Sequence, residues 1–390
     1  MKFAPSCSYE RTEQRKLANG TATAWVSRGS EDSCWDKFLQ GTPLGQFQQS
    51  TIWARAKEAE GWKPLRVVLT MDDDEMVGGF QILWRSSWYG RIGYVSKGPM
   101  VLPGYSGLAE FSTELLRVLS RRQGFWGVLV QPPDPCRQMP DRLIRDGFPR
   151  DLRGKVISAT WVVDLREGFE AVEQGMSKWT RKKMKQAEKR GVTIRQGGRE
   201  DVRTFFELML STCRRQGTEP APANEETMLA LWDAGQPAGC IRLTLAECKG
   251  KPLAGLVCIL FGKTVSFWKK GWTSSDGDRH PNELLMKEML QWATSKGYHL
   301  ADFCALDRNI AIAMLSGEPL TPAQESSRHM FNVRLGGSPW LLPEARVYFP
   351  NLLVRLTYRA IFYRRIRQLE ENGKLPRKVT ESLREDQGQA

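Results

Sequence analysis

One pattern occurs twice in this chain of 390 residues, and it limits the fold more than any other feature. Two alternating apolar runs joined by a turn appear first in RVVLTMDDDEMVGGFQILW (Arg66–Trp84), where the turn is acidic. They recur in RLTLAECKGKPLAGLVCILFG (Arg242–Gly262), with Lys249-Gly250-Lys251-Pro252 as turn chemistry. Each is followed by a basic–glycine pair, Lys97-Gly98 and then Lys270-Gly271. After each pair comes an amphipathic helix, LAEFSTELLRVLSRRQG in the first copy and NELLMKEMLQWATSKG in the second. Gly124 lies 26 residues after Gly98, and Gly297 lies 26 residues after Gly271. Both glycines fit helix C-caps, and the FWGVLVQ and YHLADFCA that follow read as buried strands. Matched order and spacing predict two tandem, similar domains of mixed α/β (α+β) architecture.

The boundary is expected near RDLRGKVISATWVVDL, which gives a first domain over 1–157 and a second over 158–325. The remainder, 326–390, carries a basic aromatic helix (Leu352–Leu369) and is expected to end in a polar, disordered tail.

Composition narrows the partners. The formal charge is +13, and it is concentrated in two blocks. Lys178–Arg190 (KWTRKKMKQAEKR) holds seven cations against the single acid Glu188, and Asn351–Leu369 holds five arginines and no acid. Localised positive charge suits a phosphate-rich or anionic-membrane partner. As a helix, the first block keeps only Thr180, Met184, Ala187 and Gly191 on one face, a narrow stripe that leaves the rest exposed. A solvated face and a polyanion-docking face both fit that pattern. The second block, LLVRLTYRAIFYRRIRQL, either packs its apolar side on the first domain or lies on an anionic membrane; packing is the favoured expectation.

Eight cysteines without a CxxC pair and three scattered histidines give no metal-ligand spacing, so reduced thiols and no metal are expected. MKFAPSCSYE has no apolar h-region, and no run approaches eighteen apolar residues, which favours a cytoplasmic chain. No Ser-His-Asp set, HExxH, Walker loop or dinucleotide fingerprint occurs, and no cofactor is expected. Repeated hairpin and helix–strand units suggest the GCN5-related acyltransferase fold. Its acyl-CoA pyrophosphate loop is not found: Arg121-Arg122-Gln123-Gly124-Phe125-Trp126-Gly127 is one residue too long and sits at a helix end.

Four stretches then carry a resemblance. They are FQQSTIWARAKEAEGW (Phe47–Trp62), YVSKGPMVLP (Tyr94–Pro103), MSKWTRKKMKQAEKRGV with LMLSTCRRQG, and RLTLAECKGKPLAG with PNELLMKEMLQWATSKGYHLADF. In this order, over roughly Trp35 to Gly337, the chain resembles the FemABX family, which transfers amino acids from aminoacyl-tRNA to peptidoglycan precursor peptides. The resemblance implies two GCN5-related-like domains facing a cleft, with the first completed by the C-terminal return. It also implies an aminoacyl-tRNA donor and a peptide or small-molecule amine acceptor. Such chemistry needs alignment and a donor for the developing oxyanion rather than a nucleophile or metal.

Individual positions carry over unevenly. Lys57, one helical turn after Trp53, occupies a lysine that contacts acceptor phosphates in the family, and it is equally an ordinary solvated residue. Ser96-Lys97-Gly98-Pro99 matches a first-domain loop, placing Lys97 among the acceptor-side candidates. The family's F-K-x-x-F-G, whose lysine is proposed to stabilise the transition state, is here FNVRLGG, with Asn332 at the lysine position. Asn332 can donate a hydrogen bond without charge, and Arg328 or Arg334 is expected to compensate. Lys269 in FWKKGW replaces an aromatic residue. Trp268 and Trp272 are the aromatic pair to test for stacking. Asp302, at a strand end, either accepts the amine proton or satisfies a turn; His280 suits a helix start, and His329 stands nearer the suspected site. Lys178, Arg181, Lys182, Lys183, Lys185, Lys189 and Arg190 are the expected tRNA-docking set. Two other readings stay open: transfer from another activated acyl donor such as acyl-CoA, and a non-catalytic RNA- or membrane-binding protein on a degenerate scaffold.

Overall fold

A computed structural model describes residues 2–3, 9–72, 74–134, 136, 138–151, 156–274 and 277–371. The polar tail beyond Glu371 and residues 152–155 of the expected boundary lie outside these. The chain forms two compact units: Met1–Ala54, Gly61–Val156 and Pro343–Ala390 make the first, and Arg55–Glu60 with Ile157–Leu342 make the second. Residues 326–342, expected with the C-terminal return, therefore group with the second unit, as does the segment that carries Lys57.

The first unit runs β1 (Tyr9–Leu17), β2 (Gly20–Ser27), α1 (Ser33–Gly41), α2 (Thr51–Glu58, whose last residues group with the second unit), β3 (Lys63–Met71), β4 (Glu75–Ser87), β5 (Gly90–Ser96), β6 (Met100–Val101), α3 (Leu108–Arg122), β7 (Phe125–Gln131) and α4 (Gln138–Arg145). In the second follow β8 (Ala159–Asp164), α5 (Phe169–Gly175), α6 (Lys178–Lys189), β9 (Val192–Gln196), α7 (Val202–Gln216), α8 (Glu225–Gly235), β10 (Ile241–Cys248), β11 (Lys251–Phe261) and β12 (Thr264–Trp272). It continues with α9 (Pro281–Ser295), β13 (Leu300–Asp302), α10 (Arg308–Ser316), α11 (Pro322–Glu325), α12 (Met330–Val333) and β14 (Ser338–Leu341). β15 (Arg346–Tyr348) and α13 (Leu352–Glu371) then complete the first unit.

The duplication is visible strand by strand. The first sheet is ordered β1-β2-β3-β4-β5-β7-β15, with β6 on β4, and the second β14-β8-β13-β12-β11-β10-β9. In each, three antiparallel strands are followed by a helix that crosses to a parallel partner: β5 to β7 through α3, and β12 to β13 through α9. A parallel neighbour demands such a crossover, because the chain must return to the same end of the sheet. An antiparallel strand then closes each set, β15 on β7 and β8 on β13. Gly124 and Gly297, at φ 64° and 71°, end the crossover helices in the left-handed conformation that a side chain disfavours.

In the second unit Leu284, Leu285 and Met289 of α9 pack with Leu256, Cys258 and Val265 of the sheet. On the other side α7 approaches β12 so closely that Gly271 is required. A Cβ there would lie 2.5 Å from the Met209 nitrogen and 2.7 Å from the Leu208 carbonyl carbon, both backbone atoms. Gly271→Ala is expected to cost about 2–4 kcal/mol, since helix or strand must shift, and a lower urea midpoint at unchanged m-value would show it.

α6 keeps its predicted stripe, with Thr180, Met184 and Ala187 buried. Gly191 differs: it is exposed just beyond the helix at φ 75°, where it acts as a terminator. α13 reverses its favoured expectation. Its half-buried side consists of Val354, Arg355, Tyr358 and Arg359, with the Tyr358 hydroxyl donating to the Arg150 carbonyl (3.2 Å) and Arg359 Nη2 to that of Gly147 (3.1 Å). Leu352, Leu353, Leu356 and Ile361 point outward. The arginine stems and a tyrosine make the contact, which leaves the aliphatic side uncovered.

Candidate functional site

β12 carries a bulge. Its register against β11 passes from Val257↔Lys269 to Cys258↔Phe267, so Trp268 is the extra residue of the shift. A bulge bends its strand and re-aims the side chains around it. Immediately after it come Lys269 and Lys270.

Lys270 Nζ donates to Oδ1 of Asn332, 3.0 Å away, and lies 4.6 Å from the centre of the Phe331 ring. Asn332 is buried on the short helix α12. Among the described residues Lys270 forms no ion pair with a carboxylate. Burial, helped by the Arg328 charge, brings its ammonium down to about 8, against an ordinary lysine near 10.5. The residue 62 positions upstream of Asn332 thus holds a cation against that amide. The spacing in sequence hides this, and Lys270 is the site residue that sequence reasoning missed. Its only sequence signal is membership of the repeated basic–glycine pair.

Arg328, one of the two arginines expected to compensate, bonds to Gln216 Oε1 (2.7 Å) in an exposed position and affects the site through its charge. His329 is held below the usual imidazole range by burial and by the neighbouring Arg328, so it is neutral at pH 7. Asp302 accepts from the Thr160 hydroxyl and from the Cys304 amide (2.8 Å) through the same oxygen, Oδ1, and so holds the end of β13. This matches the turn-satisfying reading of the two.

The α12 segment also reaches the basic helix. The Arg334 carbonyl accepts from the Ser177 amide (3.0 Å) and the Thr180 hydroxyl (3.2 Å) at the start of α6. Its guanidinium lies 5.1 Å from the centre of the Trp179 ring, and Lys183 Nζ lies 5.4 Å from the same ring. Trp179 remains 46 % exposed between them. Lys178, Lys182, Lys185, Lys189 and Arg190 are exposed, while Arg181 and Lys183 are half-buried. Glu188, the helix's one acid, is taken by Lys287 (2.7 Å), and among the described residues none of the seven cations pairs with a carboxylate. An exposed, unneutralised cation row beside an exposed indole is what a nucleic-acid backbone with one stackable base can use.

The acceptor-side candidates divide between the units. Lys57 and Lys269 belong to the second; Lys57 pairs with Glu60 (2.6 Å), and Lys269 is lowered by burial and partly by the charge of Lys57. Lys269 also lies 5.2 Å from the Trp268 ring. Trp272 stacks under Arg215 at 4.7 Å, and its buried indole nitrogen has no hydrogen-bond partner among the described residues. Trp53 packs edge-on against Phe47 in the first unit, where Lys97 adopts φ 56° at the end of β5. There two of the quoted motifs meet: Gln49 Nε2 donates to the Ser96 carbonyl (2.5 Å), Gln49 Oε1 accepts from the Gln81 amide (2.7 Å), and the Gln49 side chain occupies the space a Cβ on Gly98 would need. His280 precedes α9 and approaches Glu283 at 3.8 Å, as expected of a helix start. Among the described residues seven cysteines are free, and no group of His, Cys, Asp or Glu is placed to hold a metal ion.

The FemAB family model matches residues 31–142, and the acetyltransferase (GNAT) domain model matches residues 174–309. The lipid II:glycine glycyltransferase of Staphylococcus saprophyticus is 26% identical over 238 residues, covering 57% of this chain and 56% of that protein. The protein of the same name from Staphylococcus aureus strain MRSA252 is 25% identical over 196 residues, covering 47% and 46%. The chain thus spans about half the length of the curated relatives it matches. Among solved structures, that of FemX superposes with a TM-score of 0.67 at 18% identity, covering 80% of this chain and 94% of FemX.

Proposed function

Since this chain belongs to the FemABX family, with GCN5-related acyltransferase-like domains, we propose that it moves an amino acid from aminoacyl-tRNA to the amine of a peptidoglycan-precursor peptide. One observation carries the reading: Asn332, which accepts from Lys270 of β12, sits on the segment whose Arg334 anchors the cationic helix α6. A polyanion held on α6 would present its acylated end beside a cation suited to an oxyanion.

The chemistry balances without a cofactor. The acceptor amine attacks the ester carbonyl carbon, the C–N bond forms, and the carbonyl electron pair moves onto oxygen. As that oxyanion collapses, the bond from carbon to the ribose oxygen breaks, and the proton shed by the amine ends on the ribose hydroxyl. The ester is already activated, so alignment and charge stabilisation supply the acceleration. Lys270 is the catalytic cation, donating to the oxyanion and remaining protonated throughout. Asn332 is a positioning residue that fixes its amine, and Arg328 adds positive potential. On the acceptor side we assign Lys57, Lys269 and Trp272 of the second unit. Lys178, Arg181, Lys182, Lys183, Lys185, Lys189 and Arg190 hold tRNA. A charged tRNA as donor places the reaction in the cytoplasm.

Relatives named for lipid II support a lipid-linked precursor as the acceptor. The test offers pools of tRNA charged with labelled amino acids, together with lipid-linked and nucleotide-linked precursors, to the purified protein. RNase-sensitive transfer of label to a precursor peptide is expected. Transfer from acyl-CoA but from no charged tRNA would replace the donor, and transfer from neither would leave a binding protein on this scaffold.

A further inference from the structure

The first unit carries a surface that transfer chemistry does not use. The hairpin between β4 and β5 turns at Trp88 and Tyr89, positions where glycine, asparagine or aspartate would normally sit. Trp88 is 95 % exposed. Its ring meets Tyr89 at 5.0 Å, Tyr89 meets Trp126 at 4.9 Å, Trp126 meets Phe349 at 5.2 Å, and Phe349 meets Tyr358 at 4.8 Å. This aromatic ladder runs from the hairpin tip to α13. α13 faces outward with Leu352, Leu353, Leu356 and Ile361, each more than half or about half exposed, Leu353 at 73 %. A surface helix ordinarily presents the opposite side to water. A groove of about 440 Å³ joins tip and helix, lined by Tyr89, Trp126, Asn351, Val354 and the exposed Arg121.

We propose that the Trp88–Tyr89 hairpin tip and the outer side of α13 together form a docking face for an anionic lipid surface. Exposed indole and phenol rings together with exposed leucines match the headgroup boundary of a bilayer, where an apolar body and a polar edge are both satisfied. The charge fits as well: residues 351–369 contain five arginines and no acid, Arg121 lines the groove, and Arg364 is exposed. That charge argues against a second copy of this chain as the occupant. A symmetric pair would set the same arginine-rich segment against itself. No helix among the described residues is long and apolar enough to cross a membrane, so the contact lies on the surface. The assignment holds whichever amino acid or acceptor the transfer uses.

Sedimentation of the full chain with phosphatidylglycerol-containing vesicles and with pure phosphatidylcholine vesicles tests this face. Preferential binding to the anionic vesicles is expected, with a blue shift of tryptophan emission. Trp88→Ser and the double variant Leu353→Glu/Leu356→Glu should each weaken binding about tenfold or more while thermal unfolding is unchanged, because these side chains are exposed. The blue shift should vanish in Trp88→Ser. Equal binding to both vesicle types, or loss of binding on charge reversal in α6 but not at Leu353 and Leu356, would overturn the proposal. So would a dimer in solution that the leucine variants dissociate without any vesicle binding by the wild type.

Discussion

Lys270→Met is expected to lower kcat by about a hundred- to a thousandfold while leaving KM for aminoacyl-tRNA nearly unchanged, because the lost interaction forms only with the oxyanion of the transition state. The exchange removes the charge and keeps a chain of similar length at a half-buried position, so the fold should persist and the urea midpoint serves as the control. pH supplies an independent readout. The working form of Lys270 is the ammonium, which titrates at about 8. As pH rises through that value the cation is lost and the rate declines; below it the cation is complete, and the acceptor amine, which must be neutral to attack, sets the acid limb. Lys270→Arg keeps its charge throughout and should abolish the alkaline decline even at a reduced rate. Exchanging the two partners, Lys270→Asn with Asn332→Lys, restores one amide and one amine to the pair. It should recover about tenfold or more of the activity lost in Lys270→Asn alone, a coupling that two independent residues would not show. A Lys270→Met enzyme with wild-type kcat and an unaltered alkaline limb would sink the assignment.

Reversing Arg181, Lys182 and Lys185 to glutamate is expected to raise KM for aminoacyl-tRNA about a hundredfold or more and to flatten its salt dependence by about two to three units of slope. The effect should appear in KM and vanish from single-turnover chemistry at saturating tRNA, which separates docking from catalysis. None of the three contributes to the buried stripe of Thr180, Met184 and Ala187, so the helix should survive. Trp179→Ala tests the exposed indole between Arg334 and Lys183 by the same assay; loss of one stacked base corresponds to about 1–3 kcal/mol in affinity. Unaltered KM in the triple variant at low salt would remove tRNA from α6.

The fold was legible because its information is periodic. Two hairpins, two capped helices and two equal spacings locate β3, β4 and β7 of one sheet and β10, β11 and β13 of the other. The strand carrying Lys270 was read only as the basic–glycine pair that follows the hairpin, and its bulge was not seen, since nothing in VSFWKKGW marks Trp268 as the bulged residue. That bulge decides where Lys269 and Lys270 point. Asn332 therefore reads in sequence as a lost charge, whereas in space the charge has moved to another strand. α13 misled for a related reason. Its composition is amphipathic, but which side faces the protein is set by the carbonyls of Gly147 and Arg150, which take Arg359 and Tyr358. A hydrophobic pattern cannot report acceptors more than two hundred residues away.

The position of β15 bears on synthesis. The first unit's sheet ends at β7 until Arg346–Tyr348 pairs with it, and all of the second unit except Arg55–Glu60 is encoded between these two strands. As the chain leaves the ribosome, the second unit is complete in sequence before the first can close. During that interval β7 (FWGVLVQ) presents an open edge of apolar strand, the form most prone to pairing with another chain. Truncation anywhere before Arg346 makes the interval permanent. Such fragments are expected in the insoluble fraction, whereas residues 157–342 expressed alone should remain folded.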